Sequence, residues 1–135
     1  MILDLDPQSP IPLYLQIIEQ VRRLIALGAL KPGDRFLTVR DLGVKARVNR
    51  NTAARAIAEM ERDGMVRTRV GQGTFIADGA PAMDAQRRDT ALDAAIEKLL
   101  IEAHALGVPD EELGWRLHRK IEHFARARRS TAKES

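Results

Sequence analysis

The chain has 135 residues, enough for one ordinary domain or a small domain with an appendage. Apolar residues make up 44% and aromatics only 4%, so Leu, Ile, Val and Ala must fill any core, which favours packed helices over a large sheet. The absence of cysteine excludes a disulfide framework and thiolate zinc sites.

No stretch reaches the roughly 18 apolar residues of a membrane span. The acidic start, Met1-Ile2-Leu3-Asp4-Leu5-Asp6, lacks the basic and long apolar parts of a signal peptide. A bacterial-type cytoplasmic location is expected. The formal net charge of +3 hides an asymmetry. From Arg35 to Arg69 nine Lys/Arg face four Asp/Glu, whereas from Ala80 to Ser135 the count is ten against ten. A basic half beside a neutral half implies that one face meets phosphate and the other does something else.

Pro7, Pro10 and Pro12 keep residues 1–12 extended. From Leu13 the apolar residues Leu13, Ile17, Val21, Leu24 and Ile25 recur at helical spacing, with Gly28 as the stop. Leu30-Lys31-Pro32-Gly33-Asp34 turns the chain. Thr38, with Asp41 three residues on, opens a brief second helix over about Val39 to Ala46. Asn49 caps a third, in which Ala53, Ile57 and Met60 point inward while Arg50, Asn51, Ala54, Arg55 and Ala58 look out. Gly64 ends it.

Met65 to Val70 alternates like a half-buried strand, Gly71-Gln72-Gly73 supplies a turn, and Thr74 to Ala77 returns as a second strand. Asp78 to Ala82 is a linker by composition. Beyond it Leu92, Ala95, Ile96, Leu99, Ala103 and Leu106 form one stripe on a long helix opened by Asp84 and closed by Gly107. A last helix, opened near Pro109 or Asp110, carries Leu113, Leu117, Ile121 and Phe124 inward and ends at Arg126-Ala127-Arg128-Arg129. The expected architecture is therefore mainly α: a winged helix-turn-helix of three helices plus a two-stranded β-wing over 1–78, a linker over 79–83, an antiparallel helical hairpin for dimerisation over 84–129, and a disordered tail over 130–135.

Two short helices joined by a tight turn and followed by a basic ribbon form a unit that lays its second helix in the major groove of DNA. An arginine in the first turn of that helix can donate two hydrogen bonds to guanine O6 and N7, which gives roughly 1–3 kcal/mol of base discrimination. The helix N-terminus itself favours a nearby phosphate. Arg50 is the expected base reader, Asn51 pairs with adenine or merely caps, and Arg55, Arg67 and Arg69 bind phosphates or are simply solvated. Gly71 and Gly73 are first of all turn residues. They form no dinucleotide-binding fingerprint, because position 76 is Ile and no strand leads into a helix there.

The segments Pro12-Leu13-Tyr14-Leu15-Gln16-Ile17, Gly28 to Asp34, Val39-Arg40-Asp41-Leu42, Val48 to Thr52 and Arg69 to Phe75 together resemble the GntR family of transcriptional regulators, in order and spacing, over about 65 residues. The short two-helix C-terminal part is similar to the YtrA-like subfamily rather than to branches with large effector domains. The resemblance implies DNA contacts at Arg40, at Arg50 and Thr52 of the recognition helix, and at Gly71 of the wing tip. A single module reads too few bases for useful specificity, so a homodimeric repressor is expected; no cofactor is expected, and no grouping of serine, histidine and carboxylate has the spacing of an enzyme's nucleophile. The chain departs from the family pattern at Leu37-Thr38, where Pro-Ser is usual, and at Arg47, where a glycine sits in the turn. It departs again at Gly43, where alanine is usual, and at Ala54, which cannot supply the polar contact some relatives make.

The expected partners are double-stranded operator DNA and a second copy of the chain. Any small-molecule effector is expected at a subunit interface, because the C-terminal helices are too small to enclose one. Two rival readings exist. A winged helix used against protein would show salt-insensitive partner binding and no DNA shift. A metal enzyme would have to use His104, His118 or His123; His118 and Glu122 stand one helical turn apart but lack further ligands.

Overall fold

A computed structural model describes residues 1–78 and 84–133. Seven elements follow one another: α1 (Leu13–Ala26), α2 (Val39–Ala46), α3 (Arg50–Arg62), β1 (Val66–Arg69), β2 (Gly73–Ile76), α4 (Ala85–Ala105) and α5 (Asp110–Lys133). The chain is mainly helical and divides into two units. One holds the N-terminal residues through the wing together with the end of α5 from Arg128, and the other holds α4 and the rest of α5. The expected linker over 79–83 lies outside the described residues. Among the described residues no helix is long and apolar enough to cross a membrane.

The N-terminal core is aliphatic, as the composition requires. Ile17, Ile18 and Val21 of α1 meet Leu42 and Ala46 of α2, Ala53, Ala56, Ile57 and Met60 of α3, and Val66 and Ile76 at the base of the wing. The two buried alanines of α3 bring it close to α1 and α2, the helices it packs against. The helix starts are those the sequence marks. Thr38 Oγ1 accepts from the Asp41 amide at 3.1 Å, and Asn49 Oδ1 accepts from the Thr52 amide at 2.8 Å. Residues 1–6 are extended, as expected, and two glutamines one turn apart on α1 hold them. Gln16 exchanges hydrogen bonds with the backbone of Asp6, and Gln20 with that of Asp4. Residues 7–11 form turns instead of continuing the extension.

Four helices end alike. At α1, α3 and α4 a glycine with positive φ (Gly28, Gly64, Gly107) follows the last turn, and its amide and the next one fold back onto the carbonyls of that turn. At α2 the same geometry is made by Arg47, with φ 57° and ψ 45°. Its amide reaches Val44 O at 3.3 Å, and that of Val48 reaches Gly43 O at 3.0 Å. The turn before α3 thus needs a left-handed residue and has an arginine there. A side chain in that region costs about 1–2 kcal/mol, partly offset by its smaller unfolded-state entropy relative to glycine. Arg47→Gly is accordingly expected to stabilise the unit by about 0.5–1 kcal/mol, a rise of a few degrees in thermal melting. An unchanged or lowered midpoint would contradict this account of the turn.

In the wing, β1 and β2 pair antiparallel with Val66 opposite Ile76 and Arg69 opposite Gly73. Residues 34–36 add a third, shorter line on the other side of β2: the Phe36 amide donates to Thr74 O at 2.7 Å and the Ile76 amide to Asp34 O at 2.8 Å. β1 is therefore an outer edge. That explains why the expected alternation fails there: only Val66 is buried, and Arg67, Thr68 and Arg69 are all exposed.

α4 begins where Asp84 accepts from the Arg87 amide at 2.7 Å. α5 runs on to Lys133, past the expected end at Arg129. Ser130-Thr131-Ala132-Lys133 contains neither the glycine nor the proline that would stop it, so the helix propagates. α4 and α5 do not pack along each other, so the expected hairpin is present as two consecutive helices but not as a closed pair. Leu92, Ile96, Leu100, Leu117 and Ile121 are each about half exposed, and of the α4 stripe Ala103 is buried.

Candidate nucleic-acid interface

The geometry of the α2–α3 junction follows from its caps. Thr38 and Asn49 set where the two helices begin, and Arg47 sets how sharply the chain turns between them. Gly43 lets the turn come close: a Cβ there would lie 3.3 Å from Val48 O. The result is a shallow cleft of about 260 Å³ lined by Val39, Arg40, Gly43, Val44, Val48 and Arg50. Arg40 and Arg50, ten residues apart in sequence, thus stand at one opening, both exposed. Gly43, a weakness by helix propensity, is explained by this close approach.

Asn49 does the capping, so Asn51, exposed on the first turn of α3, is not needed for it. Thr52 is half-buried and its amide is the capped one. Arg55 lies one turn further, its guanidinium 3.9 Å from the centre of the Tyr14 ring, which fixes the cation without neutralising it. Arg67 and Arg69 sit on the exposed edge strand, and Arg69 lies 4.8 Å from the Phe75 ring centre. Gly71, with φ 76°, is exposed at the wing tip, where an added Cβ would meet open space.

Charge pairing separates two classes of arginine. Arg22 holds Glu19 at 2.7 Å and Arg62 holds Glu59 at 3.3 Å, on surfaces away from the cleft. Among the described residues Arg40, Arg50, Arg55, Arg67 and Arg69 have no carboxylate partner. A surface that keeps its cations unpaired suits an external polyanion.

Sequence reading missed Arg35. Its Nη2 donates to Gln72 O at 2.7 Å across the wing turn, and its guanidinium lies 5.6 Å from the Phe75 ring centre, so Phe75 is flanked by Arg35 and Arg69. The contact spans 37 positions and carries no local periodicity. An aromatic on the strand after the glycine-rich turn, opposite the basic strand, was the available hint. Elsewhere, His118 and Glu122 are paired at 2.9 Å, and the described residues contain no cluster of three metal-ligating side chains.

Three helices, the second and third joined by a tight turn and followed by a β-ribbon, make a winged helix-turn-helix. Residues 13–76 match the profile of the bacterial regulatory proteins of the gntR family. The chain is 37% identical to the HTH-type transcriptional repressor YtrA of Bacillus subtilis strain 168 over 82% of its own length and 85% of that protein's. Among solved structures it is similar to a GntR family transcriptional regulator from Listeria monocytogenes, at TM-score 0.62 and 27% identity over 85% of this chain and 98% of that one. It is also similar to the DNA-binding domain of AraR in complex with operator ORX1, at TM-score 0.50 and 29% identity over 57% of this chain and 95% of that one. The chain belongs to the GntR family: it is a helix-turn-helix, DNA-binding transcriptional regulator and not an enzyme.

Proposed function

We propose that the protein is a homodimeric repressor that binds a palindromic operator, one half-site per subunit. The observation that carries this reading is the pair Arg40 and Arg50, unpaired and exposed at one cleft beside the N-terminus of α3. Arg50, as the first residue of α3, reads base edges, with Asn51 and Thr52 beside it in the same turn. Arg40, Arg55, Arg67 and Arg69 bind phosphates and set the docking register. Gly71 lets the wing tip approach the minor groove without a side chain in the way. The repressor sign is supported by the similarity to YtrA, and operator binding by the similarity to the AraR DNA-binding domain.

The region 84–129 supplies the dimer contact. A single module reads too few bases for useful specificity, and a two-fold dimer on a palindrome doubles the site. The half-exposed Leu92, Ile96, Leu100, Leu117 and Ile121 form the apolar surface that a second copy would cover.

Selection of bound duplexes from random sequence tests the whole reading. The expected product is one inverted repeat, bound with an affinity that falls steeply with salt. Recovery of no preferred sequence, together with salt-insensitive capture of a protein partner, would overturn it in favour of an interaction module.

A further inference from the structure

Trp115 stands on the side of α5 opposite the apolar stripe of Leu113, Leu117, Ile121 and Phe124. It is 48% exposed, and the guanidiniums of Arg116 and Arg119 lie 5.4 and 5.5 Å from its ring centre. Arg119 and Arg126 follow Trp115 on the same side at steps of four and then seven residues, and Lys120 stands next to Arg119 toward the neighbouring face. Two carboxylates share that side: Glu112 pairs with Arg116 at 3.0 Å, and Glu122 lies 2.9 Å from His118. Among the described residues Arg119, Lys120 and Arg126 have no carboxylate partner.

An open hollow of about 610 Å³ has Arg116, Arg119, Lys120, Glu122, His123 and Arg126 on its described wall. From Arg116 to Arg126 the wall is about 15 Å long at the helical rise, which is more than one phosphate occupies.

We propose that this face of α5 binds a compact polyanion, a ligand carrying two or more linked phosphates. Arg119, Lys120 and Arg126 donate to its oxygens through charge-assisted hydrogen bonds. Trp115 is a positioning residue: its ring holds two guanidiniums in place and keeps them from folding back onto solvent-exposed backbone. The site lies along one side of α5, apart from the apolar stripe assigned above to the proposed dimer contact, whereas the sequence led to an effector at a subunit interface. It does not depend on how the operator is read.

Trp115 is the single tryptophan of the chain, so its fluorescence reports on this face alone. The full chain, without DNA, is titrated with inorganic tripolyphosphate near physiological salt, and the same titration is repeated by calorimetry. A saturable change in both is expected, with orthophosphate far weaker. Arg119→Ala combined with Arg126→Ala is expected to weaken binding about tenfold or more, while leaving the thermal midpoint and operator affinity unchanged. Lys120→Gln, a milder change, is expected to weaken it less. Absence of heat and of saturation up to about 1 mM ligand, or equal binding by the double variant, would overturn the proposal. So would a double variant that loses affinity for random duplex DNA while tripolyphosphate fails to bind the parent, since the face would then belong to the DNA backbone.

Discussion

Arg50→Ala is expected to remove most of the preference for the operator while sparing most affinity for random duplex. A bidentate arginine–guanine pair contributes about 1–3 kcal/mol of discrimination, and a palindrome contains it twice. The fold should survive, because Arg50 is exposed, makes no ion pair among the described residues, and leaves the Asn49 cap intact. Arg50→Lys separates charge from shape. Lysine keeps the attraction to phosphate but loses the planar fork, so specificity should fall while the salt dependence stays near that of the parent. The measurement is a pair of binding curves, operator and random duplex, at two salt concentrations for each variant. Equal losses on both duplexes would remove Arg50 from the base-reading role and make it a phosphate contact.

The second large effect concerns assembly. Leu117→Glu with Ile121→Glu places two carboxylates on the apolar side of α5, at positions 46% and 57% exposed in the single chain. The subunit fold has little reason to suffer, but a second copy could no longer cover the stripe without burying unpaired charge. Sedimentation equilibrium at micromolar concentration should show the parent as a dimer and the double variant as a monomer. Operator affinity should then fall by about 10²- to 10⁴-fold, the gain that linking two half-site contacts provides. A parent that sediments as a monomer would contradict the proposal, and so would a double variant that remains dimeric.

Much of the N-terminal module was legible in the residues, because its signals are local. Thr38 and Asn49 announced the starts of α2 and α3, the glycines at 28, 64 and 107 announced ends, and Ala53, Ile57 and Met60 gave the buried side of α3. The positive φ at Arg47 was legible only through the family resemblance, which places a glycine in that turn. The exposed edge of β1 was not legible. Alternation of residue types says which side chains could be buried, but that residues 34–36 line β2 and leave β1 as the outer edge depends on a distant part of the chain. The end of α5 was misplaced for a different reason. A run of basic residues is favourable at a helix C-terminus but does not terminate one.

The sequence alone determined the helices, the caps of α2 and α3, and the contrast between a basic and a neutral half, because all of these depend on composition and on neighbours within about one or two helical turns. Only the tertiary structure decided which cations share a surface. Arg40 and Arg50 come to one cleft through the packing of α2 on α3, Arg35 reaches Gln72 across the wing, and Trp115 stands between Arg116 and Arg119, away from the apolar stripe. It also decided that α4 and α5 leave their apolar sides uncovered within one chain. Periodicity reports that a face is apolar, but what covers that face is set by the geometry of chain turns.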